Sequence, residues 1–173
     1  MIKYDSTRKC AHRNHSIEFY EKDGNNMVKI RIAYMSFFGN SELCAEALRD
    51  ELSKNNDVDM VSIADGPKGS EGAELVIICS PVRAGNLVRK TRNFLKTLAG
   101  EGSLQYALVV THSTPLDSMW SPVKPVTKHM RSLNDSGLVP IADPLYIEVK
   151  NNKGPIDAEY RERIAHYVES MGL

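Results

Sequence analysis

Residues 28–41 read VKIRIAYMSFFGNS, and this stretch decides the fold. Val28–Tyr34 is apolar and rich in β-prone residues, so it predicts a buried strand. From Ser41 to Lys54 the apolar residues recur at helical spacing, which predicts an amphipathic helix. A strand that passes through a short glycine-containing loop into a helix is typical of the first half of a βαβ unit.

The rest of the chain continues this alternation. Further strands are predicted at Val58–Ile63, Leu75–Cys79, Tyr106–Thr111 and Leu138–Val149, the last broken by Pro140 and Pro144. Further helices are predicted at Val88–Leu98, after Ser121 as N-cap with Pro122 as first helical residue, and at Asp157–Met171. Residues 64–72 hold three glycines and a proline, so no full helix is expected there. The pattern predicts an α/β fold: a doubly wound, five-stranded parallel sheet of order 2-1-3-4-5 with helices on both faces.

Composition narrows the class of protein. The 173 residues include 22 Lys and Arg against 22 Asp and Glu, so no overall field attracts nucleic acid or an anionic membrane. No apolar run approaches the roughly 18 residues of a membrane span. Three widely spaced cysteines make no disulfide framework, which favours a reducing compartment. We therefore expect a cytoplasmic protein, monomeric or homodimeric, that binds neither nucleic acid nor membrane.

Residues 1–26 differ from the remainder. They are polar and show neither helical nor strand periodicity, apart from a short strand candidate at Ile17–Tyr20. We interpret them as an N-terminal extension to a single domain over residues 27–173. Cys10, His12 and His15 are metal-ligating residue types, but no second ligand pair follows at a defined spacing, so no metal site is predicted.

The first candidate site is the loop between the first strand and the first helix. In an open parallel sheet, ligands bind beyond the carboxyl ends of the strands near the switch in strand order. Glycine and asparagine here can turn backbone N–H groups inward, the helix N-terminus adds partial positive charge, and two serines add hydroxyl donors. This combination suits a phosphate group, although a plain turn capped by its last serine is the alternative. The loop consists of Ser36, Phe37, Phe38, Gly39, Asn40 and Ser41.

Two further loops should reach the same edge of the sheet. One follows the third strand and holds Ser80, Pro81, Val82, Arg83, Ala84 and Gly85. The other follows the fourth strand and holds His112, Ser113, Thr114 and, further on, Trp120. Arg83 is either a surface residue or a cation for a bound ring. Trp120 either faces such a ring or fixes the next helix to the sheet, and His112 either makes a structural hydrogen bond or moves a proton.

These loops resemble those of the flavodoxins. The first is similar to the flavodoxin phosphate loop, hydroxyl-x-Thr-Gly-Asn-Thr, with Phe38 in place of the first Thr. The second is similar to the Ser/Thr-Pro-Val-x-x-Gly loop of flavodoxin-like reductases, with Arg83 where flavodoxins often have an aromatic residue. The resemblance spans about residues 28–171 and implies a short-chain flavodoxin-like domain. It implies that FMN binds with its phosphate in the first loop and its ring between the other two, without a protein nucleophile.

The resemblance leaves three functions open. The first is electron transfer between redox partner proteins, and the runner-up is an FMN-dependent NAD(P)H:quinone-type reductase. The third is a binding module that has lost its flavin, and Phe38 and Arg83 support this alternative. Flavodoxins are acidic as a class, whereas this chain is neutral and places a basic run beside the second loop: Arg83, Arg89, Lys90, Arg92 and Lys96. That run is either a solvated helix face, a docking surface for an acidic partner, or a site for the extra phosphate of NADPH.

Overall fold

A computed structural model describes residues 27–66, 69–151 and 153–173. Its strands are β1 (Lys29–Tyr34), β2 (Asp57–Ser62), β3 (Leu75–Arg83), β4 (Asn86–Leu87), β5 (Gln105–His112), β6 (Val139–Pro140) and β7 (Leu145–Glu148). Its helices are α1 (Asn40–Leu52), α2 (Arg89–Ala99), α3 (Val123–Asp135) and α4 (Tyr160–Ser170). The alternation of strands and helices predicted from the sequence is confirmed.

The main sheet is parallel, and its central order is β2-β1-β3-β5. The fifth position is shared by two short strands, because β6 pairs with the start of β5 and β7 with its end. The predicted order 2-1-3-4-5 is therefore confirmed, with the fifth strand in two pieces. Pro140 ends β6 and Pro144 precedes β7. Because proline has no N–H to donate to a neighbouring strand, the strand is interrupted at the two prolines, as the sequence predicts.

Side chains alternate between the two faces of the sheet, and a layer of helices covers each face. α1 and α4 cover one face, over a core that includes Ile32, Leu48 and Ile164. α2 and α3 cover the other, over a core that includes Ile78, Phe94 and Leu108. Such burial is the main source of stability in a domain of this size.

Several element boundaries differ from the sequence prediction. β3 does not end at Cys79: it continues to Arg83 and turns back into β4 as a two-residue hairpin. Ala84 and Gly85 both have positive φ, at 48° and 72°, as a type I′ turn requires. At α3 the capping residue is Pro122 rather than Ser121, and the Ser121 hydroxyl accepts a hydrogen bond from the Val123 N–H at 3.3 Å.

A short 3₁₀ turn, Ile63–Asp65, stands where a helix is missing between β2 and β3, as expected. On this face of the sheet, the buried Arg31 links β1 to its neighbours through polar contacts. Its guanidinium pairs with Asp59 and Glu71 and donates to the Gly69 carbonyl at 3.1 Å. The Glu71 carboxylate is the main reason that the pKa of Arg31 is raised. An ion-pair cluster thus replaces apolar packing at this edge.

The 1–26 extension, its strand candidate Ile17–Tyr20 and the residues Cys10, His12 and His15 lie outside the described residues. Within the described ranges, no group of three or more His, Cys, Asp or Glu side chains could hold a metal ion. Among those same residues no helix has the length and apolar character needed to cross a membrane.

Candidate functional site

The three predicted loops come together beyond the carboxyl ends of β1, β3 and β5. Between them lie two adjoining spaces, a recess of about 40 Å³ and an open cleft of about 390 Å³. The larger volume is within the range of small-ligand sites. Both spaces are bordered by Phe38, Val82, Arg83, His112 and Ser113, so a ligand that fills one would reach the other.

The first loop leaves backbone donors without acceptors. Gly39 is the residue before α1, with φ of +86°, and no side chain caps the helix. A Cβ at Gly39 would meet no atom within 4 Å, but that φ is one that other residues rarely adopt. Leu43 makes the first helical bond, to the Gly39 carbonyl, at 2.9 Å. Among the described residues, no acceptor takes the N–H groups of residues 40–42, and Asn40 and Ser41 line the recess, whose size suits an anion.

Two serines of the site are used to hold the loops in place. The Ser41 hydroxyl lies 2.7 Å from the Thr111 hydroxyl, which fixes the start of α1 to β5. The Ser80 hydroxyl lies 2.7 Å from that of Thr91 and fixes the second loop to α2. Both residues are almost fully buried, so what Ser41 can offer to a ligand is its N–H rather than its hydroxyl. Ser36, on the recess wall, keeps its hydroxyl for that purpose.

Arg83 bridges the first and second loops. Its guanidinium carbon lies 4.2 Å from the centre of the Phe37 ring and 5.5 Å from that of Phe38. Both phenylalanines are about half exposed, at 48% and 45%, which is costly for apolar rings without a further contact. Lys153 approaches Phe38 from the other side, with its ammonium 5.9 Å from the ring centre. Two cations and two aromatic rings therefore stand together at the mouth of the site.

His112 and Trp120 play different parts in the third loop. The His112 ring is buried, its Nδ1 donates to the Thr114 carbonyl at 2.9 Å, and its edge meets the Tyr146 ring 6.0 Å away. This is the structural hydrogen bond considered from the sequence. Trp120 is 69% exposed on the wall of the larger cleft, so its ring does not fix α3 to the sheet.

Fourteen of the sixteen predicted site residues border the recess or the cleft. The exceptions are Gly39, which shapes the loop, and Ser80, which is bonded to Thr91. Sequence reasoning missed the segment after β7, where Val149 and Asn151 line the recess and Lys153 lines the cleft. The signal that could have found it is topological, because this segment also follows a strand at the carboxyl edge of the sheet.

The formally charged side chains among the described residues that line the site are all positive. Its lining holds two formal cations, Arg83 and Lys153, and no carboxylate. The partial positive charge of the α1 N-terminus acts in the same direction. A site with free N–H donors and excess positive charge is chemically suited to an anionic group.

Several solved structures with the same architecture are flavodoxins. Flavodoxin 1 from Bacillus cereus superposes with a TM-score of 0.68 at 17% identity, over 83% of this chain and 97% of that one. The flavodoxin of Streptococcus pneumoniae TIGR4 gives 0.61 at 20% identity, over 83% and 97%. A variant of the Fusobacterium nucleatum flavodoxin, solved bound to flavin mononucleotide, gives 0.62 at 17%, over 86% and 98%.

The chain therefore has the flavodoxin-like fold over most of its length, as its loop motifs suggested. No protein-family model matches the chain, and no curated protein matches it in sequence. At these identities the likeness concerns the backbone, and the chemistry of the site has to be argued from its own residues.

Proposed function

We propose that this protein binds FMN in the cleft between its three loops and transfers electrons between redox partner proteins. The observation that carries the proposal is that the N–H groups of Asn40 and Ser41 have no acceptor among the described residues, and that both residues line a small recess adjoining a larger cleft. The flavin mononucleotide held by a neighbour of the same fold supports the choice of ligand. FMN supplies one- and two-electron chemistry when bound, and the chain supplies anchorage and charge.

The recess fits the phosphate end of FMN. Its donors are the N–H groups of Asn40 and Ser41 and the hydroxyl of Ser36, and Asn40 adds a neutral amide. The volume of about 40 Å³ admits only a few heavy atoms. Phe38, in place of the flavodoxin threonine, removes one side-chain donor but leaves these N–H groups in place.

The larger cleft fits a flat aromatic ring. Phe38 and Trp120 offer exposed aromatic surface on its walls. Arg83 and Lys153 place positive charge around it, which favours the more negative, reduced form of a flavin. We expect these residues to raise the reduction potential of bound FMN.

The phosphate assignment is tested by Asn40→Asp. The new carboxylate would stand beside a phosphate dianion, and two such charges 4 Å apart repel by about 4 kcal/mol near a protein surface. We expect FMN affinity to fall at least about tenfold by fluorescence titration. An acidic residue in the first turn stabilises a helix, so the variant should fold. Asn55→Asp, beyond the far end of α1, is the matched control. Equal dissociation constants for the two variants would place the phosphate elsewhere.

Stopped-flow reduction separates the carrier from the reductase. A carrier needs no pocket for nicotinamide, so NADPH alone should reduce the FMN-loaded protein slowly, whereas dithionite or a reductase protein should reduce it fast. Rapid multiple turnover with NADPH and a quinone, in the absence of any partner protein, would instead establish the reductase.

The contacts of Arg83 favour one alternative, a module without flavin. Its guanidinium against Phe37 and Phe38 stabilises the mouth of the cleft without any ligand. Arg83→Gln removes that contact. In a flavin protein the substitution should lower the reduction potential of bound FMN; in a flavin-free module, neither the wild type nor the variant should bind FMN.

A further inference from the structure

A second concave surface lies away from the cleft, between α2 and α3. This groove has a volume of about 570 Å³. Arg89, Arg92 and Lys96 form one wall on α2, and His129 with two serines forms the other on α3. Leu95 and Leu133 make an apolar floor. No carboxylate lines the groove.

The cations of this wall have no carboxylate partner among the residues that the structure describes. Across the described ranges, Arg89, Arg92 and Lys96 form no ion pair, whereas Arg49, Arg161 and Arg163 on the opposite side of the sheet each pair with an aspartate. α2 and α3 together carry seven Lys or Arg and one Asp, while α1 and α4 carry three Lys or Arg and six Asp or Glu. A chain with no net charge is thus strongly polarised across its sheet.

The spacing of the cations defines what would fit them. They stand at positions i, i+3 and i+7 of one helix, so their Cα atoms lie along about 10 Å of its axis. Carboxylates on a partner segment can match this spacing, either on a helix at i, i+4 and i+7 or at alternate positions of an extended strand. The apolar floor suits the aliphatic part of a peptide side chain and has no equivalent contact with a phosphate backbone.

The groove begins next to the proposed flavin cleft. Gly85 borders the cleft, and its neighbour Asn86 accepts a hydrogen bond from His129 Nε2 of the groove at 2.8 Å. Arg89, at the start of α2, follows three residues later. A protein bound along the groove would therefore have part of its surface beside the cleft mouth.

We propose that the α2–α3 groove docks an acidic segment of a partner protein. That this partner is a redox protein rests on the proposed function; the preference for acidic peptide follows from the groove alone. This surface is positively charged, whereas the surface of an acidic flavodoxin is negatively charged.

The test measures binding of a fluorescein-labelled, alanine-rich helical peptide with glutamates at i, i+4 and i+7, by fluorescence anisotropy at increasing salt. The same peptide with glutamines is the control ligand. Arg92→Glu with Lys96→Glu reverses the groove, and Lys124→Glu with Arg131→Glu makes the same change in net charge outside it. We expect the groove reversal to weaken binding at least about tenfold and the outside reversal to weaken it far less.

Three results would overturn the proposal. One is equal binding of the glutamate and glutamine peptides, and another is an equal loss in the two double variants. The third is tighter, groove-dependent binding of an oligothymidine or of a second copy of this chain, detected by sedimentation. FMN titration of the same variants distinguishes the two proposals. Peptide binding without FMN binding would support docking in the groove and contradict electron transfer by FMN. FMN binding without peptide binding would support the FMN site and contradict docking in the groove.

Discussion

The two helical layers of this protein are built differently, although they cover the same sheet. In the α1–α4 layer, Asp50 on α1 pairs with Arg161 on α4 at 3.3 Å, and Asp157 pairs with Arg163 at 2.8 Å. In the α2–α3 layer, an open groove of about 570 Å³ separates the helices, and its cations face solvent without carboxylates. The arginines of the first layer are paired with aspartates, and the groove cations of the second have no such partner among the described residues.

This difference suggests a separate role for each layer. The paired layer carries the first loop, since α1 begins at that loop and Ser41 fixes it to Thr111. A ligand site gains from such rigid support. The open layer holds the second loop through the bond between Ser80 and Thr91, and its groove is the surface that we propose for recognition. Substitutions made in matched pairs, one in each layer, test whether the two layers differ in this way.

The largest expected difference is in packing. Leu48→Ala empties a fully buried site under α1 and should lower the free energy of unfolding by about 3 kcal/mol, since such truncations cost roughly 2–5 kcal/mol. Leu133→Ala borders the groove, where water can enter the space, and should cost about half as much. Urea denaturation measures both. Equal costs would mean that the second layer is packed as tightly as the first.

A smaller effect is expected at the ion pair of Asp157. The Arg163 guanidinium and the Glu159 N–H hold the pKa of Asp157 below its usual value. A carboxyl with a lowered folded-state pKa stabilises the fold above its unfolded pKa, and this stabilisation is lost as the pH falls through the folded value. Asp157→Asn should therefore cost up to about 1 kcal/mol at neutral pH and nothing in strong acid. A cost that persists unchanged in acid would show that the pair is not responsible.

The open layer should respond to pH in a different window. Burial, and then the charges of Arg92 and Lys128, lower the pKa of His129. The unfolded chain then binds a proton on this histidine more tightly than the folded chain does. The free energy of unfolding is therefore highest above the unfolded pKa, and it falls as the pH drops from about 6.5. His129→Gln can keep the bond to Asn86 and should flatten that decline. Thermal melts of both proteins between neutral and mildly acidic pH test it, and parallel curves would contradict it.

The smallest effect on stability is expected for the groove reversal, Arg92→Glu with Lys96→Glu. These cations lie close together without partners, so the change should stay within about 0.5 kcal/mol of the wild type or stabilise it. Asp50→Lys, in the paired layer, sets a third cation beside Arg49 and Arg161 and should destabilise more. Urea denaturation of both variants gives the comparison, and a groove reversal that unfolds the protein would show that these cations are structural.

The fold was readable from the sequence because apolar periodicity and glycine loops determine it. The strand order, the lack of a full helix among the described residues between β2 and β3, and the break of the last strand at Pro140 and Pro144 all follow from local chemistry. The end of β3 does not. Nothing in residues 80–87 distinguishes a loop from a hairpin, and Ala84 takes a positive φ that its residue type disfavours.

The site was readable in its loops but not in its contacts. The grouping of the three loops follows from the topology of a parallel sheet. The pairing of Ser41 with Thr111, and the packing of Arg83 on Phe37, depend on tertiary distances that no local pattern encodes. Lys153 was missed for the same reason, because its place beside Phe38 comes from the path of the chain after β7.

In the proposed complex, the recess beside residues 36–41 holds the single phosphate of FMN. The most direct measurement is the titration of the flavin-free protein with FMN, riboflavin and FAD by fluorescence quenching. Two or more hydrogen bonds to a charged phosphate contribute about 1.5–3 kcal/mol each, so FMN should bind at least about a hundredfold more tightly than riboflavin. FAD should also bind less tightly, because the recess has room for one phosphate. Riboflavin that binds as tightly as FMN would contradict the account.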